Sequence, residues 1–195
     1  MRVTAEKPIK IFKEWYEEAK ATEPVNPNAM TLATVDDDGR PSARMVLLKD
    51  VDVDGFVFYT NLGSRKALEL NANPHAALCF YWKTLAKQVR VEGVIELVAD
   101  AEADAYFASR PKLSQLGAWA SKQSQPLEGR MALEKRVAKY TAKFNVGTIP
   151  RPGFWSGLRL RPVQIELWKE EAFRLHDRTR YKRDGDGWTV DSLYP

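Results

Sequence analysis

The residues best able to do chemistry stand together in the run Arg174-Leu175-His176-Asp177-Arg178. On a strand, side chains two residues apart share a face, so Arg174, His176 and Arg178 are expected to project together. One interpretation is a solvated strand face whose charges are met by counterions. The other is a wall that binds an anion or an electron-rich ring, because guanidinium planes both donate hydrogen bonds and stack.

A second group of cations consists of Arg44, Lys49, Arg65 and Lys66. The first two stand near the ends of an apolar strand pattern, whereas the other two fall in the first turn of a short helix predicted over Ser64–Asn71. Cations at a helix N-terminus oppose the helix dipole, at a cost of roughly a few tenths of a kcal/mol. A bound phosphate would remove that conflict, and ordinary surface charge is the alternative.

A third group lies on a predicted helical stretch. Tyr106 and Arg110 are four residues apart and share a helical face, and Ser114 follows one turn later, past Pro111. A phenol, a guanidinium and a hydroxyl are all donors, as expected around a phosphate monoester. A helix-surface pair is the common explanation for any two of them.

Some features are ambiguous when taken alone. Gln123 and Ser124 lie in a polar loop, which by itself indicates only a loop. Trp155 and Trp168 are interpreted as core or interface aromatics unless a ring ligand stacks nearby. The only cysteine, Cys79, excludes an intrachain disulfide and a cysteine-based zinc site.

Size and charge narrow the classes of function. The chain has 195 residues and a mass of 22.2 kDa, which fits one domain of ordinary size. Its net charge is +4, but acidic residues are scattered among the cations, which favours small anionic ligands over nucleic acid. No apolar stretch approaches the ~18 residues of a membrane span, and no signal-type segment is evident, so we expect a cytoplasmic protein.

The hydrophobic periodicity predicts strands joined by short turns, with helices around them. An amphipathic helix is expected over about residues 8–20. Short connections favour antiparallel pairing, so the fold class is α+β, mainly β, as an antiparallel sheet or barrel. Strands are predicted over residues 30–35, 43–49, 56–60, 76–82, 88–98, 163–169, 173–181 and 188–190. The helices after residue 100 are predicted over 101–109, 113–120 and 127–144.

Four motifs, in this order and spacing, carry a resemblance to a known family: R-M-V-L-L-K at 44–49, F-Y-T-N-L-G-S-R-K at 58–66, S-K-Q-S at 121–124 and R-L-H-D-R at 174–178. They resemble the pyridoxine/pyridoxamine 5′-phosphate oxidase family, from about Asn26 to the C-terminus. The resemblance implies an FMN-binding antiparallel split β-barrel, with residues 1–195 as a single domain. It also implies a homodimer that holds FMN at the subunit interface. The scattered charges, the lack of a long apolar stretch and the lack of a metal-binding motif lead us to expect no nucleic-acid, membrane or metal partner.

The resemblance also implies the site residues. The residues expected to bind FMN are Arg44, Met45, Val46, Leu47, Leu48, Lys49, Tyr59, Thr60, Arg65, Lys66, Gln88, Gln123, Ser124, Trp168 and Arg178. The residues expected to bind substrate are Lys49, Tyr106, Arg110, Ser114, Arg174, Leu175 and His176. Among these, Arg174 and His176 are expected to act in catalysis.

The implied reaction is FMN-dependent oxidation of pyridoxamine 5′-phosphate and pyridoxine 5′-phosphate to pyridoxal 5′-phosphate, with O2 reduced to H2O2. Most of this chemistry belongs to the cofactor. Arg174 is expected to hold C4′ of the substrate over flavin N5, with His176 beside it. Arg178 and Gln88 are expected to bond the polar edge of the flavin, where Arg178 stabilises negative charge on the reduced ring.

The chain departs from the family pattern at both ends. No N-terminal arm with an Arg and a Tyr to close over the substrate is visible, and Ser192 stands where the usual Arg-Leu-x-Pro ending has its Arg. A phenazine-pathway type of flavin oxidase is the nearest alternative, and it would lack the phosphate grip on the substrate. A non-catalytic module that binds FMN or pyridoxal phosphate comes next, followed by a nucleic-acid-binding barrel.

Overall fold

Ten strands form one antiparallel sheet in the computed structural model, which describes residues 2–195. The strand order along the sheet is β1-β10-β9-β8-β7-β6-β2-β3, with β5 paired to β8 and β4 paired to β5. The strands are β1 (Arg2–Thr4), β2 (Ala29–Val35), β3 (Pro41–Leu47), β4 (Asp50–Asp52), β5 (Gly55–Asn61), β6 (His75–Trp82), β7 (Lys87–Leu97), β8 (Trp155–Lys169), β9 (Asp177–Asp184) and β10 (Gly187–Ser192).

The long strand β8 pairs with two different strands along one of its edges. Its residues 155–160 pair with β5 and its residues 164–169 pair with β9, while β7 follows the other edge. The register with β7 shifts between Glu92 and Gly93. A Cβ at Gly93 would lie 2.1 Å from the carbonyl oxygen of Arg161, so only glycine fits this close approach. The antiparallel, barrel-like fold expected from the sequence is confirmed.

Five α-helices in the described part of the chain pack around this sheet: α1 (Lys7–Thr22), α2 (Arg65–Ala72), α3 (Asp100–Ser109), α4 (Lys112–Ala120) and α5 (Ala132–Lys143). The helix α1 corresponds to the amphipathic segment expected over residues 8–20. Its Phe12 is fully buried, with ring centroids 4.9 Å from Phe56 and 5.0 Å from Phe80. None of the described helices is long and apolar enough to cross a membrane.

A second, smaller apolar cluster joins α3, α4 and α5 to the start of β8. It contains Phe107, Leu116, Phe144, Ile149 and Trp155, all buried. Burial of these side chains fixes the three helices against the sheet, since a packed core residue resists displacement. The donors of α3 and α4 are thereby held beside β5.

The strand expected over 173–181 is wrong in its first half. A short 3₁₀ turn over Ala172–Arg174 occupies this position, and β9 begins only at Asp177. Phe173 and Arg174 have φ of 57° and 62°, which is left-handed backbone that no extended strand contains. Arg174 and His176 therefore do not share a strand face with Arg178.

Two other boundaries differ from the sequence prediction. The helix expected from residue 127 begins at Ala132, after a segment that includes Gly129 with a φ of +154°. The strand expected from residue 163 begins at Trp155, because β8 continues through Gly157 and Pro162 despite their low strand propensity. The last strand, expected over 188–190, extends over Gly187–Ser192.

Candidate functional site

A cavity of about 610 Å³ opens between β3, β5, α3 and α4. This volume is typical of a small-molecule site. Many of the residues implied by the resemblance line it: Met45, Val46, Leu47, Lys49, Tyr59, Thr60, Lys66, Tyr106, Arg110, Ser114 and Gln123. Other lining residues had no assigned role, among them Asn61, Ser121 and Trp155.

Lys66 is a buried cation in this cavity. Its Nζ donates to Ser64 Oγ at 3.1 Å, Thr60 Oγ1 at 3.2 Å and Gln123 Oε1 at 3.1 Å, and it forms no ion pair with a described carboxylate. Ser64 stands at the N-cap of α2 but makes no capping hydrogen bond. Burial, and then the charge of Arg44, lower the pKa of Lys66, because both disfavour its charged form.

Arg110 is a second cation in the same cavity and follows directly after α3. Its Nη1 is buried and has no hydrogen-bond partner among the described residues. Burial lowers the pKa of Arg110, although the nearby Tyr106 has the opposite, smaller effect. A buried polar atom without a partner is costly, so an N–H group of Arg110 at the cavity wall is suited to donate to an anionic ligand. Tyr106 and Ser114 line the cavity beside it.

An aromatic wall closes one side of the cavity. The rings of Tyr59 and Tyr106 stack with centroids 3.9 Å apart. Burial, followed by the charges of Glu102, Tyr106 and Asp50, raises the pKa of Tyr59 to about 12. Its phenol is therefore protonated at neutral pH and acts as a donor rather than a base.

Arg44 and Arg65 lie outside the cavity because one buried carboxylate holds both. Glu69 accepts from Arg65 Nε at 2.7 Å, Arg44 Nη2 at 3.0 Å and Thr34 Oγ1 at 2.5 Å, and also from Ser42. Burial alone would raise the pKa of Glu69, but these hydrogen bonds outweigh it and lower the pKa to about 2. Arg44 and Arg65 are thus compensated cations.

Two further residues implied for FMN are also absent from the cavity lining. Leu48 is buried in the main core. Ser124, which has a φ of 70°, lines a neighbouring recess of about 490 Å³ together with Arg65 and Glu69. The recess is adjacent to the cavity, at its rim, because Ser124 lines the recess and its neighbour Gln123 lines the cavity.

A second cluster of implied residues lies across β7, β8 and β9, where Gln88 is opposite Trp168 and Trp168 is opposite Arg178. Arg178 donates from Nε and Nη2 to Oε1 of the buried Glu166, at 3.0 and 2.8 Å, and from Nη1 to the carbonyl oxygen of Tyr194 at 3.0 Å. The guanidinium group is therefore fixed on two sides.

Arg174, Leu175 and His176 belong to this second cluster through the turn that precedes β9. The ring of His176 lies 4.8 Å from that of Trp168, and its Nδ1 accepts a hydrogen bond from the Glu171 amide at 3.3 Å. Arg174 is exposed and makes no hydrogen bond to a described side chain or carbonyl group. Its charge is therefore available to a ligand.

The two clusters lie on one face of the sheet, near opposite edges. Directly opposed residues share a face, and the strand register places Met45, Thr31, Cys79, Arg90 and Glu166 in one row across the sheet. Along their own strands, Leu47 is two residues from Met45, Gln88 is two from Arg90 and Trp168 is two from Glu166. Arg180 lies opposite Glu166 and so continues the row, and Arg178 is two residues from Arg180. All four side chains therefore lie on the same face as the row. None of the second cluster lines the cavity in the described chain.

Two family models together match most of the chain. One, described as pyridoxamine 5′-phosphate oxidase, matches residues 16–144, and another, described as the pyridoxine 5′-phosphate oxidase C-terminal dimerisation region, matches residues 155–195. The chain belongs to the pyridoxamine 5′-phosphate oxidase family. The second cluster falls largely within the dimerisation region of this family.

Curated relatives in this family match over nearly their full length. The chain is 61% identical over 191 residues to a pyridoxine/pyridoxamine 5′-phosphate oxidase of Brucella anthropi, covering 96% of this chain and 94% of the relative. It is 60% identical over 193 residues to one of Azorhizobium caulinodans, covering 98% and 91%.

Solved structures are similar too. The crystal structure of PhzG from Burkholderia lata, in complex with tetrahydrophenazine-1-carboxylic acid, superposes with a TM-score of 0.91 at 34% identity, covering 96% of this chain and 92% of that one. An FMN-binding protein related to pyridoxamine 5′-phosphate oxidase, from Nostoc punctiforme, superposes with a TM-score of 0.78 at 20% identity, covering 95% and 96%. The latter similarity supports the fold alone.

The sequence analysis did not identify the side chains that contact and position the arginines of the site. Glu69 carried a local signal, since it stands four residues after Arg65 on a helix, the spacing of an ion pair. Glu166 carried none, because its contact with Arg178 depends on the pairing of β8 with β9. Trp155 was noted only as an aromatic, and its place beside Arg110 depends on how α3 packs on β8.

We expect Glu69→Gln to be destabilising by on the order of 2–3 kcal/mol at pH 7, because the lost charge leaves two arginines without a carboxylate. The native pKa of Glu69 is depressed, so its stabilising effect is present above the unfolded value near 4.5 and is lost as the pH falls towards 2. Urea unfolding at fixed protein concentration, between pH 7 and pH 2.5, measures the difference.

The matched control is Glu14→Gln, on the exposed face of α1, which should change stability by less than about 0.5 kcal/mol. The gap between wild type and Glu69→Gln should close as the medium is acidified. A gap that stays constant over this pH range would contradict the proposed charge network.

Proposed function

We propose that this chain catalyses the FMN-dependent oxidation of pyridoxamine 5′-phosphate and pyridoxine 5′-phosphate to pyridoxal 5′-phosphate, with O2 as electron acceptor and H2O2 as product. The observation that carries the proposal is the presence in one cavity of two cations without carboxylate partners, the buried Lys66 and the half-buried Arg110, whose Nη1 is buried. Such a site suits two ligands that each carry a phosphate. The free thiol of Cys79 is consistent with a reducing, cytoplasmic location.

The surroundings of Lys66 fit the phosphate of FMN. Lys66 would pair with the phosphate, while Thr60 Oγ1 and Gln123 Oε1, which accept hydrogen bonds from its ammonium group, fix the position of the charge. Anion binding would also reverse the burial effect that lowers the pKa of Lys66. Arg65 and Ser124 at the neighbouring recess add donors at the rim.

The donors around Arg110 fit the phosphate of the B6 substrate. Arg110 offers an unpartnered Nη1, and Tyr106, Ser114 and Lys49 line the same part of the cavity wall. Charge-assisted hydrogen bonds of this kind contribute about 1.5–3 kcal/mol each, so the loss of one donor weakens binding by about tenfold or more.

Bound FMN supplies a two-electron acceptor for the hydride that leaves C4′ of the substrate, and O2 then takes up these electrons. The protein orients the reactants. Arg174 and His176 hold the pyridine ring, while Gln88 and Arg178 donate to the polar edge of the flavin. Glu166 keeps Arg178 in place, and Tyr59, protonated at neutral pH, contributes a donor and a stacking face.

A complete site requires two copies of the chain. In a twofold-symmetric dimer, the same face of each subunit meets the other, so a residue near one edge contacts a residue near the opposite edge. One end of this face, the cavity end, carries Met45 and Leu47 on β3. The opposite end carries Trp168 on β8 and Arg178 on β9. Pairing these faces forms two equivalent sites with FMN at the interface, and the match to a dimerisation region supports this arrangement.

The similarity to PhzG raises a second candidate, an oxidase acting on a phenazine precursor. Tetrahydrophenazine-1-carboxylic acid, the compound in that complex, carries a carboxylate and no phosphate. The half-buried Arg110, together with Tyr106 and Ser114, favours a phosphate monoester instead. The two candidates therefore differ in whether the phosphate of the substrate is needed.

We expect the purified protein, loaded with FMN, to lose its visible flavin absorbance when pyridoxamine 5′-phosphate is added anaerobically. Reduction should yield pyridoxal 5′-phosphate and ammonia, since water hydrolyses the imine that the amine forms on losing a hydride. Admission of air should then restore the absorbance and release H2O2. Pyridoxamine without the phosphate is the matched control and should reduce the flavin at least about tenfold less efficiently, since the donors around Arg110 have no anion to bind.

Equal reduction of the flavin by both amines would show that the substrate needs no phosphate, and this result would favour the phenazine-type alternative. Tight binding without bleaching would indicate a non-catalytic carrier or sensor. A protein that takes up no FMN at all would end the proposal.

A dimer of two different inactive variants tests the sharing of the site. Lys66→Met affects the cavity end of the face and Arg174→Met the other end, so each homodimer should be nearly inactive. In a heterodimer purified through two different tags, one site carries both substitutions and the other carries neither. We expect about half of the wild-type activity per dimer. Activity no higher than that of the homodimers would place both residues in a site built by a single chain.

A further inference from the structure

Arg110 differs from most of the shielded arginines of the described chain in what holds it, and of those that rest on aromatic rings without a carboxylate it is the one that lines the cavity. Five of them pair with carboxylates: Arg44 with Glu69 at 3.0 Å, Arg151 with Asp100 at 2.6 Å, Arg159 with Asp52 at 2.5 Å, Arg178 with Glu166 at 2.8 Å and Arg180 with Asp191 at 2.9 Å. A carboxylate neutralises the guanidinium charge and occupies its N–H groups. Arg110 has no such partner among the residues described.

Aromatic faces hold Arg110 instead. Its Cζ lies 4.8 Å from the ring centroid of Trp155 and 5.6 Å from that of Phe107. A cation over an aromatic face is attracted by the ring quadrupole, and this attraction strengthens when the pair is shielded from water. The contact fixes the position of the guanidinium without consuming a hydrogen-bond donor or cancelling the charge.

The orientation of Trp155 is itself fixed. It is the first residue of β8 and only 6% exposed. Its ring stacks on Tyr59 at 5.2 Å and 12°, and meets Phe107 edge-on at 5.1 Å. Tyr106 lies parallel to it at 6.2 Å. The plane on which Arg110 rests is therefore set by the sheet and by the cavity wall.

We propose that Trp155 is a positioning residue for substrate binding, which holds Arg110 through its ring face and so leaves the charge and N–H donors of Arg110 for a phosphate monoester. The proposal rests on the proposed function only in assigning that phosphate to the B6 substrate. Trp155 acts through Arg110, and neither the reacting carbon nor the hydride acceptor needs to contact it.

The test compares Trp155→Leu, which removes the aromatic face, with Trp155→Phe, which keeps one. For Trp155→Leu we expect KM for pyridoxamine 5′-phosphate to rise about tenfold while kcat changes less than about twofold. Inhibition by inorganic phosphate should weaken in parallel. Trp155→Phe should stay close to wild type, and the preference for pyridoxamine 5′-phosphate over pyridoxamine, as a ratio of kcat/KM values, should fall only in Trp155→Leu.

The matched control is Trp119→Leu. Trp119 belongs to the same aromatic cluster, and its Nε1 donates to the Pro150 carbonyl oxygen at 2.8 Å, but its ring does not contact Arg110. If Trp155 had only a structural role, Trp155→Leu and Trp119→Leu would lower thermal stability and FMN content to a similar extent and leave KM unchanged. An unchanged KM and phosphate inhibition in folded Trp155→Leu would overturn the proposal.

A second measurement does not depend on the folding of Trp155→Leu. In a ¹H–¹⁵N spectrum of the wild-type holoprotein, the Arg110 Nε–H signal is the one missing from Arg110→Lys. We expect it to be shifted upfield by the Trp155 ring and to move when inorganic phosphate is added. An unshifted signal would overturn the proposal. Phosphate-dependent movement in a protein that fails to oxidise pyridoxamine 5′-phosphate would reject the proposed function but retain the role of Trp155.

Discussion

The burial of positive charge without a carboxylate partner is the constraint on which the rest of the site depends. Removing an ammonium or guanidinium group from water is costly unless a partner is present. Lys66 is held by hydroxyl and amide oxygens, and Arg110 by aromatic rings. Both arrangements keep the charge available. The fold tolerates this cost because β5, α2, α3 and β8 pack closely enough to hold each cation beside the cavity, where an anionic ligand can offset it.

The remaining arginines of the site show the opposite arrangement. Glu69 binds Arg44 and Arg65, and Glu166 binds Arg178, so these guanidinium groups are fixed and largely neutralised. The carboxylate contacts direct the remaining N–H groups of these arginines. In our proposal, the site therefore combines cations whose charge binds phosphates with arginines whose fixed N–H groups orient the ligands.

Much of the fold follows from local pattern, whereas the assembly of the site does not. Alternating apolar residues such as Met30 and Leu32 indicate strands correctly, since sheet pairing preserves period two. The turn at Phe173 and Arg174 was mistaken for a strand, because left-handed φ at non-glycine residues leaves no mark in composition. The resemblance implies a set of site residues, whose roles stay predictions, and their arrangement could not be read from the sequence because it depends on strand register and, in our proposal, on a second chain.

Phosphorus NMR of the protein loaded with FMN and the product, pyridoxal 5′-phosphate, tests the two-phosphate account most directly. The account predicts two resonances from bound phosphate. Lys66→Met should remove or shift only the FMN signal, and Arg110→Met only that of pyridoxal 5′-phosphate. A pyridoxal 5′-phosphate signal that persists unchanged in Arg110→Met, or a single resonance that responds to both substitutions, would contradict it.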